Sequence, residues 1–389
     1  MNNSVIIPAA LQLCIDDLGW HNGTDARHIG QPSRTGMPRK HLPEDYTVIN
    51  EIGKAIDMVI LCPICLAEWD KSNILRDEIG TTFEPHTWNR AETIDLELSK
   101  RMFEIMENSD YIEYSIHGNL HGNYAPDGSQ ITEMEYFHYA SPNDSLLSTQ
   151  SEEEILHRLE LYFKIYNDWG FKKEIRSFVA PNGIPIHLTA DDLQPLASAL
   201  KKYGVKYWTS RWKKNVCDTE FFNGIIYMEK NKKFGVPWNA YDYDPAFLFN
   251  FAEEGDVTVG DVMGMHWPNF LRYNYQHNME CIEPWVKYFK KQAEIFGLML
   301  SKDIAFSSKQ HVYRRFSKLS FEQNKVIINL TDVLNKPTDL LENEFYISFK
   351  NNVMPIQCDG GSFELYETHN NFKTYKIIHT SNVVHITVN

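Results

Sequence analysis

Up to about residue 300 the chain alternates short apolar runs with amphipathic stretches, and few folds accept that alternation. The runs Leu11–Ile15, Met58–Cys62, Tyr111–Ile116, Arg176–Ala180, Lys206–Thr209, Gly224–Met228 and Asp261–His266 have the length of strands. Between them, Glu44–Ile56, Ala91–Glu107, Ser151–Trp169, Ala190–Tyr203 and Glu283–Leu300 repeat their apolar residues at helical spacing. Ser151 with Glu154 forms a capping box, and Gly170 is the matching stop. Strands that take turns with helices build parallel β/α units, in an open sheet or a barrel. Seven candidates favour a barrel of seven or eight strands. Segments 18–43 and 117–150 are polar, rich in Gly and Pro, and directly follow strand ends. Long loops there are where such folds place their chemistry.

The texture changes after residue 304. KVIINL, EFYISF, SFELYE, KTYKII and VVHITV alternate apolar and polar residues over strand lengths, with no helical pattern among them. Residues 305–389 are therefore expected to form a small antiparallel β-domain, sandwich-like and without helices, behind a β/α part spanning 1–304. The whole chain has 38 Lys+Arg against 52 Asp+Glu, a net charge of −14. Residues 305–389 hold 9 of the former and 8 of the latter, so the acidity belongs to the β/α part. A surface of that sign repels phosphate backbones and argues against nucleic acid as a partner.

Six cysteines in 389 residues make neither a disulfide framework nor a paired zinc ribbon. Cys62 and Cys65 form a lone CxxC, read as buried or incidental. No apolar run reaches the ~18–20 residues of a membrane span. The N-terminus lacks a basic leader region and reads as the start of the fold, so a cytoplasmic location is the default expectation.

Three strand ends of the β/α part carry reactive groups. The first strand ends in Asp16-Asp17, two adjacent carboxylates where strand opens into loop. The third strand ends in SIHGNLH, which sets His117 and His121 four residues apart, a spacing that lets two imidazoles grip one ion. The last ends in MGMHW and delivers His266 to the same rim. Adjacent aspartates usually mark an exposed turn, and His-x-x-x-His is usually structural. All three features, however, fall directly after a predicted strand. A carboxylate with two imidazoles leaves open positions for water and substrate, as a hydrolytic metal site requires.

These residues resemble the motifs of the polysaccharide deacetylase superfamily, the NodB-homology carbohydrate esterases. Cys14-Ile15-Asp16-Asp17 is similar to the family's Asp-Asp strand end, and His117-Gly118-Asn119-Leu120-His121 to its two-histidine motif. Val179-Ala180-Pro181-Asn182-Gly183 partly matches the Arg-x-Pro-x-Gly motif, and Gly264-Met265-His266 the last one. The resemblance spans roughly residues 10–300. It implies a distorted (β/α)7 barrel and a hydrolase that removes an acetyl group from an N- or O-acetylated sugar or polysaccharide. It further implies a divalent metal, usually zinc, on Asp17, His117 and His121, with cobalt, nickel and manganese also compatible with such ligands. Asp16 is then the base, His266 the acid, and the main chain around Pro181-Asn182 the oxyanion site.

The chain departs from that pattern in places. Val179 stands where the family has the arginine that orients the base, and Arg176 lies three residues upstream. Gly118 follows the first histidine where Ser or Thr is usual. Trp238, Asp242 and Asp244 lie near the expected Asp-x-x-Asp-Trp motif without matching it strictly; either aspartate would orient His266. Trp20, Trp88, Trp208, Trp212, Trp238 and Trp267 fall near strand ends and suit a glycan site, while His21, Asp25, His28 and His41 read as solvated loop residues. Two rival readings stay open: a related barrel hydrolase of another C–N bond, such as a cyclic amide, and an inactive glycan-binding module. The C-terminal domain is a candidate for oligomerisation.

Overall fold

A computed structural model of the chain describes residues 4–19, 40–141, 143–213, 218–230, 261–266, 271–272 and 274–389, with His266, Ile295 and Phe296 described by backbone alone. The chain opens with a two-residue strand, β1 (Val5–Ile6), and then lays down β2 (Ala10–Asp16), β3 (Ile60–Ile64), β4 (Ile112–Ile116), β5 (Ser177–Phe178) and β6 (Tyr207–Ser210). β7 (Thr219–Phe222), β8 (Ile225–Glu229), β9 (Val262–His266) and β10 (Met299–Leu300) complete the main sheet. Its order is β7-β8-β6-β5-β4-β3-β2-β9, with β10 also paired to β2. Every pairing is parallel except β7 with β8. The first long strand thus lies between the second and the last, and the mixed α/β sheet curls as a half barrel. All seven sequence-read strands are present in it.

Among the described residues, the connections between these strands include α1 (Pro43–Ile56), α2 (Leu96–Asn108), α3 (Glu152–Trp169), α4 (Gln194–Lys202) and α5 (Ile282–Phe296). The capping box of α3 forms as read, Ser151 accepting from the Glu154 N–H and Glu154 accepting from the Ser151 N–H, and Gly170 ends the helix in a left-handed conformation. All seven residues of β2 are buried, as expected of a parallel strand covered on both faces. Its residues alternate between two cores. Leu11, Leu13 and Ile15 share one with Val48, Ile49 and Ile52 of α1. Cys14 joins the other, with Leu61, Val179, Tyr207, Ile226 and Val262 from neighbouring strands.

That second core is completed by α6 (Ile304–Phe316), and here the structure corrects the expectation of a helix-free stretch after residue 304. Asp303 caps the helix by accepting from the Phe306 N–H at 2.8 Å. Much of its buried side is polar. Ser307 donates to the Ala10 carbonyl at 2.7 Å, Gln310 to the Pro8 carbonyl at 2.9 Å, and His311 lies 2.7 Å from Asp261. Buried polar residues erase the apolar periodicity by which a helix is recognised in sequence, which is why α6 was missed. These contacts pin α6 to the N-terminal ends of β2 and β9 and keep it away from their C-terminal ends.

Beyond α6 come β11 (Lys318–Glu322), β12 (Lys325–Asn329), β13 (Glu344–Lys350), β14 (Pro355–Asp359), β15 (Gly361–Thr368), β16 (Phe372–His379) and β17 (Val383–Val388). They form two four-stranded antiparallel sheets, β1-β13-β16-β15 and β11-β12-β17-β14, that share a core through Val326, Ile328, Phe345, Ile347, Ile377 and Ile386. β1 pairs with β13, so the first strand of the chain is built into the C-terminal sheet. The segment read as too polar for regular structure, 117–150, carries two short hairpins, 123–124 with 130–132 and 137–139 with 147–149.

Candidate functional site

The site is assembled where β2 and β4 end. Asp16 is the last residue of β2, and Asp17 turns into the left-handed region at φ 64°, a conformation that Asp and Asn tolerate better than most residues. Leaving the strand in this way frees Asp17 from strand alternation, which would send neighbouring side chains to opposite faces. Both carboxylates are almost fully buried, Asp16 at 6% and Asp17 at 0% exposure.

His117 follows β4 directly. Its Nδ1 lies 2.7 Å from the Val179 carbonyl and its Nε2 3.1 Å from Asp17 Oδ1. His121, itself at φ 55°, brings Nε2 to 3.6 Å from the same oxygen. One ligand atom from each of Asp17, His117 and His121 lies within 4.8 Å of the others, and all three residues are buried. This group could hold a metal ion. A carbonyl can only accept, so His117 donates through Nδ1 and, in the neutral ring, presents a lone pair at Nε2 toward an oxygen that also carries one. Such a tautomer, fixed by a hydrogen bond on the far nitrogen, is the usual setting of a metal-bound histidine. The donor set therefore fits a divalent cation.

The turn between the two histidines is held by Glu135, which the sequence reading did not single out. Its buried carboxylate accepts from the backbone N–H groups of Asn119 at 2.9 Å, Leu120 at 3.2 Å and His121 at 3.0 Å. Arg158 approaches it to 4.0 Å. Burial pushes the Glu135 carboxyl above the usual range, against the pull of Arg158 and these N–H donors. Gly118 sits at φ 99°, and a Cβ there would lie 2.2 Å from Glu135 Oε2. A side chain at position 118 and the Glu135 carboxylate exclude one another, which explains glycine in place of the Ser or Thr of the resembled motif.

Asp16 has a partner of its own. The Lys230 ammonium, on the residue after β8, forms an ion pair with Asp16 Oδ2, and Cys14 Sγ–H donates to Oδ1 at 3.3 Å. Arg176, the arginine nearest the resembled motif, is elsewhere: it pairs with Glu113 at 3.1 Å and Asp303 at 3.2 Å, next to α6. A small cavity is lined by Asp16, His117, His121, Asn182, Arg211 and Lys230. Asn182 stands there at φ 54° in a turn closed by the Gly183 N–H donating to the Ala180 carbonyl at 3.0 Å, with Pro181 buried beside it. The Arg211 guanidinium donates to Asn182 Oδ1 at 3.3 Å.

The backbone of β9 pairs His266 with Asp16, setting the two residues side by side on one rim; the His266 side chain lies outside the description. Trp20, Trp238, Asp242, Asp244 and Trp267 also lie outside the described residues, as do His21, Asp25 and His28. The other tryptophans read as sugar platforms are core residues. Trp88, Trp208 and Trp212 are at most 2% exposed, and their indole N–H groups donate to Asp70, Ser210 and the Leu188 carbonyl. His41, read as solvated, is buried against Tyr46 with ring centroids 4.4 Å apart. Position near a strand end does not distinguish a platform from a core indole; only the packing does.

No protein-family model matches the chain, and no curated protein does, so the resemblance to the polysaccharide deacetylases stands on the motif residues alone. Solved structures give distant likenesses. A GH57-type branching enzyme from the hyperthermophilic archaeon Pyrococcus horikoshii is 10% identical at a TM-score of 0.42, over 76% of this chain and 69% of that one. A GH57 branching enzyme from Thermococcus kodakaraensis is 8% identical at 0.32, over 75% and 69%. A candidate glycoside hydrolase/deacetylase from Parabacteroides distasonis is 10% identical at 0.38, over 95% and 84%. At such distances function has to be argued from the side chains.

Proposed function

We propose that this chain is a metal-dependent hydrolase that removes an acetyl group from an N- or O-acetylated sugar or polysaccharide, on a (β/α)7-type barrel. One observation carries the reading: residues 17, 117 and 121, distant in sequence, bring three ligand atoms within 4.8 Å of one another beside the second carboxylate, Asp16. Asp17, His117 and His121 would hold the cation, with zinc the best match to two imidazoles and a carboxylate. Bound there, a divalent ion supplies Lewis acidity, polarising an acyl carbonyl and acidifying water.

The chain's own groups do the rest. Asp16 accepts the proton of the attacking water at a carboxylate oxygen. The turn at Pro181-Asn182 offers the Asn182 main-chain N–H to the developing oxyanion. His266, which the backbone sets beside Asp16, returns a proton to the leaving nitrogen or oxygen. Trp20, Trp238 and Trp267 remain the proposed sugar-facing residues, with Asp244 as the proposed partner of His266.

Elemental analysis joined to an acetate-release assay on acetylated chitooligosaccharides and acetylated xylan tests the reading. The expected result is about one zinc per chain and acetate release, both lost in Asp17→Ala and His121→Ala. A metal-free protein inert on every acetylated sugar would indicate a binding module, and ring opening of cyclic amides without acetate release the other hydrolase class.

A further inference from the structure

The base assigned to this site has a buried cation beside it that comes from a different strand than the resembled motif provides. Lys230 is 5% exposed, and its N–H donates to the Ser210 carbonyl at 2.9 Å, which fixes its backbone to the end of β6. From there its side chain crosses β9 to reach Asp16 on β2. The crossing point is Gly264. A Cβ at that position would lie 2.7 Å from Lys230 Cδ, 2.9 Å from Cε and 3.0 Å from Cγ, so the missing side chain is the space the lysine stem occupies.

We propose that Lys230 is a positioning residue: laid over Gly264, it ties Oδ2 of Asp16 and so fixes the orientation of that carboxylate beside the metal-binding trio. The proposal rests on the reading of Asp16 as proton acceptor. An ammonium in so buried a place is costly unless paired, so Lys230 and Asp16 hold each other. A carboxylate with no such tie has two soft torsions and samples orientations that turn its basic oxygen away from the reacting water. Binding Oδ2 at Lys230 removes that freedom, with the Cys14 Sγ–H donating to Oδ1 at 3.3 Å on the other side of the carboxylate. The pair also links the end of β8 to the end of β2, strands that are not neighbours in the sheet order.

Zinc-loaded protein and 4-nitrophenyl acetate as probe test the proposal. Lys230→Met is expected to lower kcat about 100-fold, the scale of a misplaced catalytic group, with KM and zinc content unchanged. Lys230→Ala is expected to regain part of the lost kcat in ethylammonium, which fits the vacated groove. Gly264→Ala keeps the lysine but displaces its stem, and is expected to reproduce the kcat loss if Lys230→Met fails to fold. A crystal structure of zinc-loaded Lys230→Met should show the Asp16 carboxylate rotated while Asp17, His117 and His121 stay in place. Wild-type kcat in both the Met and the Gly264→Ala variants, or an unmoved Asp16, overturns the proposal. An inert wild type counts against the hydrolase reading instead, and the crystal structure still decides whether Lys230 positions Asp16.

Discussion

His117 is held between Val179 and Asp17: Nδ1 donates to the Val179 carbonyl at 2.7 Å, and Nε2 lies 3.1 Å from Asp17 Oδ1. The first contact fixes which nitrogen carries the proton. The second then needs positive charge between two lone pairs, from a cation or a second proton. Asp17→Ala and His117→Ala should therefore weaken zinc binding on the order of 100-fold or more, beyond the 10–100-fold typical of outer partners. Isothermal titration with zinc measures this. Affinity should also fall on acidification, because both rings must be neutral to act as ligands.

A cation bound to the folded chain and not to the unfolded one adds stability by mass action, about 2.7 kcal/mol at a free zinc concentration 100 times Kd. Wild-type Tm should rise by a few degrees with zinc and return with a chelator. His121→Ala should show no such rise. A zinc-induced rise of wild-type size in that variant would place the ion elsewhere.

Glu135 is expected to matter for both stability and metal binding. It satisfies three buried N–H groups in the turn between the histidines and faces Arg158. Glu135→Ala leaves those donors unsatisfied and removes the buried carboxylate facing Arg158, at a cost of about 3–5 kcal/mol. In the milder Glu135→Gln, denaturation should show a smaller loss, and zinc affinity should fall roughly 10–100-fold as the turn loosens. Gly118→Ser, which would restore the residue usual in the resembled motif, should be destabilising, because Cβ would strike Glu135 and φ is 99°.

Glu113 gives the fold a dependence on pH far from the candidate metal centre. Burial, helped by Asp303, pushes its carboxyl up to about 7, against the Ile304 N–H and Arg176. The folded chain thus holds this proton more tightly than the unfolded one. The stability associated with it is fully present below the ordinary carboxylate pKa of about 4.3 and is lost as pH rises through about 7. Urea midpoints measured against pH should show the wild type declining relative to Glu113→Gln across that window and running parallel to it above. Parallel curves throughout would show that Glu113 does not titrate there.

Asp16-Asp17 and His117-x-x-x-His121 were readable because each follows an apolar run whose end is marked in the sequence. Glu135 and Lys230 were not. Glu135 lies in a stretch too polar to stand out, and its role comes from a turn that folds back over it. Lys230 follows a strand like any other lysine, and only the curl of the sheet brings it over Gly264 to Asp16. The same holds for Trp88, Trp208 and Trp212, whose burial depends on neighbours far along the chain.

Local patterning was enough to set the alternation of strands and helices, the ends of α3 and the position of two carboxylates and two imidazoles at strand termini, because periodicity and capping act between residues a few positions apart. Tertiary structure alone decided that Asp17 meets both histidines, that α6 forms on a polar face, and that Asp16 is paired with Lys230, whose strand is not its neighbour in the sheet. Those outcomes depend on how far the sheet curls and on which buried polar groups find partners, and neither is written in any short stretch of the chain.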